Sequence, residues 1–143
     1  MKSKLKYILI LLIFLVSFGK SYSDEIKFEA KVINITNEGN FIDASGDAEI
    51  KLNSFTKINS NNFTYDKLKS ILKVSGEVEI FDQQNKLYIR GENFTYYKLK
   101  SILKVSGNVE IFDQQNKLYI RGENFTYYKF DEKIVGSNKS TIF

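Results

Sequence analysis

In a chain of 143 residues with no His and no Cys, chemistry falls to the carboxylates. Glu77 and Glu79 stand two apart, the spacing that puts both on one face of a strand. Such a pair divides acid and base roles only where its surroundings push the two pKa values apart. Nothing adjacent to them would do so, and a second copy of the segment has Asn108 in place of Glu77. The missing imidazole and thiol remove the commonest general base, the thiol nucleophile, the usual metal ligands and any disulfide. The expectation is a non-enzyme with no cofactor and no metal. Lys73, Lys104, Arg90 and Arg121 suit phosphate oxygens, and equally suit a solvated strand face.

Stepping from these residues to the elements that carry them, the dominant feature is an internal repeat. Residues 63–93, FTYDKLKSILKVSGEVEIFDQQNKLYIRGEN, recur as residues 94–124, differing only at Asp66/Tyr97 and Glu77/Asn108. A third copy opens as FTYYKF at Phe125 and then departs, while FIDASGDAEIKL (41–52) is a diverged relative of ILKVSGEVEIFD. Inserting a whole unit would split an active site, whereas a repetitive groove or sheet only lengthens. Within a unit the period is two. Leu72, Val74, Gly76, Val78 and Ile80 alternate with Lys73, Ser75, Glu77 and Glu79, which predicts a strand with one dry and one wet face. DQQNK and YKLKS are of turn length, so each unit reads strand, turn, strand, turn.

The second strand of the unit, LYIRGENFTY, breaks the alternation. Leu87 and Ile89 share one parity and Phe94 and Tyr96 the other, so the phase slips across Gly91, Glu92 and Asn93. A β-bulge there would let both halves face one interior. Long antiparallel strands bent midway fold a sheet over on itself, and the predicted class is all-β, an antiparallel jelly roll built from 31-residue two-strand repeats. Its interior would be lined by Leu72, Val74, Val78, Ile80, Leu87, Ile89, Phe94 and Tyr96, with their copies Leu103, Val105, Val109, Ile111, Leu118, Ile120, Phe125 and Tyr127. These side chains serve an open apolar trough or a closed core alike. The terminal strands, near 26–35 and 127–135, are candidate exposed edges.

The leader reads as an export signal. Lys2, Lys4 and Lys6 precede an apolar run from Tyr7 to Phe18, and Ser21, Tyr22, Ser23 offer a small-x-small cleavage site. Removing residues 1–23 takes away four lysines and no acid, leaving 17 basic and 17 acidic side chains. The basic pI of about 9.1 thus belongs to the leader, and the remainder has no electrostatic case for nucleic acid. The expected organisation is a signal peptide over 1–23 and one β domain over 24–143.

The segments ASGDAEI, VSGEVEI and VSGNVEI, each followed after a turn by a strand of the LYIRGENFTY kind, carry a resemblance. Over about residues 24–143 the chain resembles the OstA-like superfamily, which includes LptA and the N-terminal domain of LptD. The resemblance implies a periplasmic β-jelly roll for lipopolysaccharide transport that shields lipid A acyl chains in its apolar groove and bridges toward the outer membrane. It implies lipopolysaccharide as ligand, and as partners other Lpt-type jelly rolls or a second copy, joined through edge strands. LptD continues into a membrane barrel, so both a free-standing LptA-like protein and a truncated LptD-like product fit. The residues alone also admit an outer-membrane β-barrel fragment or a repetitive structural β-protein.

Overall fold

The computed structural model describes residues 25–137 and 140–143. The expected signal segment lies outside the described residues. Ten strands follow in order: β1 (Lys27–Glu29), β2 (Val32–Thr36), β3 (Phe41–Lys51), β4 (Thr56–Asp66), β5 (Ile71–Asp82), β6 (Leu87–Tyr97), β7 (Ile102–Asp113), β8 (Leu118–Tyr128), β9 (Lys133–Ser137) and β10 (Thr141–Ile142). They form one antiparallel sheet in the order β1-β3-β4-β5-β6-β7-β8-β10, with β2 also on β3 and β9 also on β8. The all-β antiparallel prediction holds. The strand order is an open path, so the described residues form no closed barrel.

Turn chemistry fixes where the strands reverse. The Asp82 carboxylate accepts the backbone N–H of Asn85 at 3.0 Å, and Asp113 repeats this with Asn116 at 2.9 Å. Asp66 and Asn53 cap the neighbouring turns through Lys69 N–H and Thr56 N–H. A short polar side chain bonding backbone two or three residues on pre-forms such a turn.

The bend has a definite location. Ser75 pairs with Asn93 and Val78 with Gly91, so Gly76 and Glu77 together oppose the single residue Glu92. The same surplus recurs in β3 at Gly46-Asp47 and in β7 at Gly107-Asn108. Both bulge residues are left-handed each time, with φ of +79° and +49° at Gly76 and Glu77. The extra residue therefore sits in the SG-x strand, not in LYIRGENFTY where the parity slip is visible. The reason is conformational: glycine, and less readily Asp, Asn or Glu, tolerates positive φ, while Gly91 does not adopt it. The even strands run through without an added residue, and their slip in parity lets both halves bury side chains.

The stacked bulges divide the sheet into two layers. The first holds β2, the 41–45 end of β3 and the strand ends paired with it, and β9; the second holds β1, the 48–51 end of β3 and its paired ends, and β10. The layers face each other. Phe28 of β1, in the second layer, stacks on Phe63 of the first at 4.8 Å and lies 5.4 Å from Tyr65. Ile89 and Tyr96 of β6 line one small cavity, although a straight strand would hold residues seven apart at about 23 Å.

Candidate functional site

The interior is built from ladders that cross the strands. Cross-strand neighbours point to the same face, so equivalent residues of successive units fall in rows. One row runs Tyr65, Leu72, Tyr96, Leu103, Tyr127, Ile134, and the next runs Ala44, Phe63, Val74, Phe94, Val105, Phe125, Gly136. Facing them across the sandwich is a row of isoleucines, Ile50, Ile58, Ile80, Ile89, Ile111, Ile120, Ile142. Val78 and Val109 lie beside the bulges, opposite Gly91 and Gly122.

These rows contain the residues expected to line the interior. Val74 and Ile80 are each 3% exposed and belong to one core cluster, on the two sides of the bend. Leu72, Val78, Ile89, Phe94, Leu103, Val105, Val109, Ile111 and Phe125 are buried with them, and Leu87, Tyr96, Ile120 and Tyr127 pack half-buried against them. Leu118 stands apart at 39% exposed, on the outer rim beside Asp113. Sequence reading missed Phe28, which packs against the core from β1, and Thr56, which is buried at the start of β4; both lie outside the copied units, so no repeat marked them.

Opposite the line of bulges, the free strand ends of the two layers meet in a seam. A cavity of about 30 Å³ sits there, lined by Leu52, Thr56, Ile80, Leu87, Ile89, Tyr96, Leu103 and Tyr127, with Asp82 and Lys129 at the rim. That volume has room for no more than a few waters. The interior is thus packed, and Leu87, Tyr96 and Tyr127 are its half-buried residues along the seam. Burial raises the hydroxyl pKa values of Tyr65, Tyr96 and Tyr127 by disfavouring phenolate.

Lys73, Lys104, Arg90 and Arg121 do not line the seam cavity. Lys73 and Lys104 stand in the wet row of the first layer, paired across strands with Thr64, Thr95 and Thr126. Arg90 and Arg121 lie on the outer face of the second layer, alternating with glutamates: Arg90 reaches Glu79 at 4.0 Å and Glu110 at 3.7 Å, and Arg121 reaches Glu110 at 3.7 Å. Beside them runs an aromatic ladder, Phe81, Tyr88, Phe112, Tyr119, Phe143, with ring centroids 4.5–5.8 Å apart. The Tyr88 hydroxyl donates to Glu79 at 2.8 Å and the Tyr119 hydroxyl to Glu110 at 2.7 Å. An open concavity of about 860 Å³ covers this region, with five glutamates and two arginines on its walls. That charge balance disfavours a phosphate. Glu77 and Glu79 lie in this wall too.

No family model and no curated protein matches the sequence. Among solved structures the chain is similar to LptH of Pseudomonas aeruginosa, described as the LptA-homologous periplasmic component of the lipopolysaccharide transport device. The TM-score is 0.73, and the match covers 87% of this chain and 98% of LptH. The fold is shared with LptH. Identity is 11%, so the likeness is one of architecture.

Proposed function

We propose that this protein is a periplasmic lipopolysaccharide carrier of the Lpt type, exported by residues 1–23, and that acyl chains enter between the two layers through the seam. The observation that carries this reading is the fold: a jelly roll matching nearly all of LptH, with unbroken apolar rows running the length of its interior. Leu87, Ile89, Tyr96, Leu103 and Tyr127 form the entry, and Leu72, Val74, Val78, Ile80, Phe94, Val105, Val109, Ile111, Ile120 and Phe125 the path behind it, with Leu118 at the rim. The layers must part to admit a chain, because the cavity at the seam has only about 30 Å³ of room. Burial of alkyl groups at about 0.8 kcal/mol per CH₂ makes a long acyl chain worth on the order of 10 kcal/mol, the gain that opposes the cost of that parting. Since the rows repeat from unit to unit, successive positions along them are nearly equal in free energy and a bound chain is not trapped. The chain performs no reaction. Its partners are lipopolysaccharide and, through the edge strands, other jelly rolls of this type or a second copy bridging toward the outer membrane.

Photocrosslinking amino acids placed at 87, 96 and 127 in cells are expected to capture lipopolysaccharide, while positions 88 and 119 on the outer aromatic ladder are not. Capture of protein alone at all five positions would overturn the carrier reading. The packed interior favours a second reading, a structural β-protein whose rows simply form its core, and that outcome would select it.

A further inference from the structure

The last strands of the sheet are a rewritten copy of β7. Residues 125–143, FTYYKFDEKIVGSNKSTIF, align without a gap on residues 94–112, FTYYKLKSILKVSGNVEIF. The register agrees with the alignment. Ile134 pairs with Tyr127 as Leu103 pairs with Tyr96, Gly136 with Phe125 as Val105 with Phe94, and Ile142 with Ile120 as Ile111 with Ile89. At the two inner-row positions flanking the bend, however, Gly136 replaces Val105 and Ser140 replaces Val109. The final pair of strands therefore lacks both valines that β5 carries as Val74 and Val78 and β7 as Val105 and Val109.

Phe125 responds to that loss. In the preceding unit a β-carbon placed on Gly91 would lie 2.7 Å from Cγ2 of Val105, so the valine covers that glycine. At the equivalent Gly122 no valine is present, and the same β-carbon would lie 2.8 Å from Cζ and 2.9 Å from Cε2 of Phe125. A β-carbon on Gly136 would lie 2.9 Å from Cε1 of the same ring. The ring shares the space of the missing valine with the Ser140 hydroxyl, whose Oγ would lie 3.2 Å from the β-carbon on Gly122 and is the atom nearest to that on Gly136. Phe125 is 4% exposed, while Gly136 and Ser140 over it are exposed.

We propose that Phe125 is a swinging plug and that the β9–β10 end of the interior is a port for a single alkyl chain. When the ring turns back to the position its counterpart Phe94 holds, the space over Gly122, Gly136 and Ser140 opens directly into the phenylalanine and isoleucine rows. An alkyl chain then enters lengthwise, without parting the layers along the seam. A ring sliding over Gly122 and Gly136 meets no branched side chain and has only the Ser140 hydroxyl to pass. This inference rests on the carrier reading and adds to it the end at which loading begins.

The test uses the full chain after export, a fluorescent dodecanoyl probe, and stopped-flow loading. Gly136→Val with Ser140→Val restores the residues of β7, pins the ring away from Gly122 and closes the port; loading is expected to slow at least tenfold. Phe125→Ala removes the plug and is expected to load at least threefold faster. If that variant fails to fold, Phe125→Leu shortens the plug while keeping most of its apolar volume, with the same direction expected. Unchanged loading rates in variants that bind the probe and melt as folded proteins would overturn the port and leave seam entry standing. Absence of probe binding in the wild-type chain would overturn both the port and the carrier reading.

Discussion

Gly107 and Asn108 show what one bulge asks of its residues. Gly107 has φ of +82°, and a β-carbon there would meet Glu92 Cβ at 2.7 Å. Gly107→Ala is therefore expected to lower stability by about 1–2 kcal/mol, from the left-handed backbone plus the contact, read as a shift in the urea midpoint. Position 77, with φ of +49°, carries Glu where the other copy has Asn. Because Asn visits that region more readily, Glu77→Asn is expected to raise stability by up to about 1 kcal/mol. The seam tyrosines make a second prediction. Burial raises the Tyr96 hydroxyl above its ordinary 10.0, so the folded state holds the proton more tightly than the unfolded chain. That contribution is complete below pH 10.0 and is lost as pH rises through the folded-state value. Tyr96→Phe should flatten the fall in melting temperature measured above that pH. The phenylalanine and isoleucine rows were legible as period-two parity. Which residue forms the bulge was not, because the parity slip shows in one strand while the added residue sits in its neighbour.

Among elements, the long strands followed from the alternation of Leu72, Val74, Val78 and Ile80 with Lys73, Ser75 and Glu79, and their ends from Asp82 and Asp113 capping the turns. The terminal elements did not. The segment near 26–35 splits into β1 and β2, each on a different layer, and Tyr127 belongs to β8 while the final edge is β9 with β10. These pieces have three to five residues or fewer, too short for alternation to register, and their placement depends on β3 and β8. The copied unit is itself testable. Deleting residues 94–124 joins Asn93 to Phe125 and regenerates the strand LYIRGENFTYY. The shortened chain is expected to fold and unfold in one cooperative transition, with a smaller denaturant slope because less surface is buried. Two transitions, or none, would show that the units are not interchangeable.

For the whole molecule, one core cluster joins Ile26 to Phe125 through both layers. A charge placed inside it has no partner. Ile111→Arg, at a fully buried position in the isoleucine row, is expected to cost several kcal/mol and unfold the domain; circular dichroism would show it, and lost lipid binding in that variant would say nothing about the path. Substitutions at Leu87 and Tyr96, half-buried on the seam, separate binding from folding. Whether the interior is trough or packed core was not readable from sequence, since the same aliphatic rows serve both and only the closing of the two layers decides. The sheet has one further property as an object of adjustable length. Each 31-residue unit brings two antiparallel strands, an even number, so gaining or losing one leaves the direction of the outermost strands as it was. The sheet's width across its strands therefore changes in steps of about 10 Å while both of its edges keep their polarity.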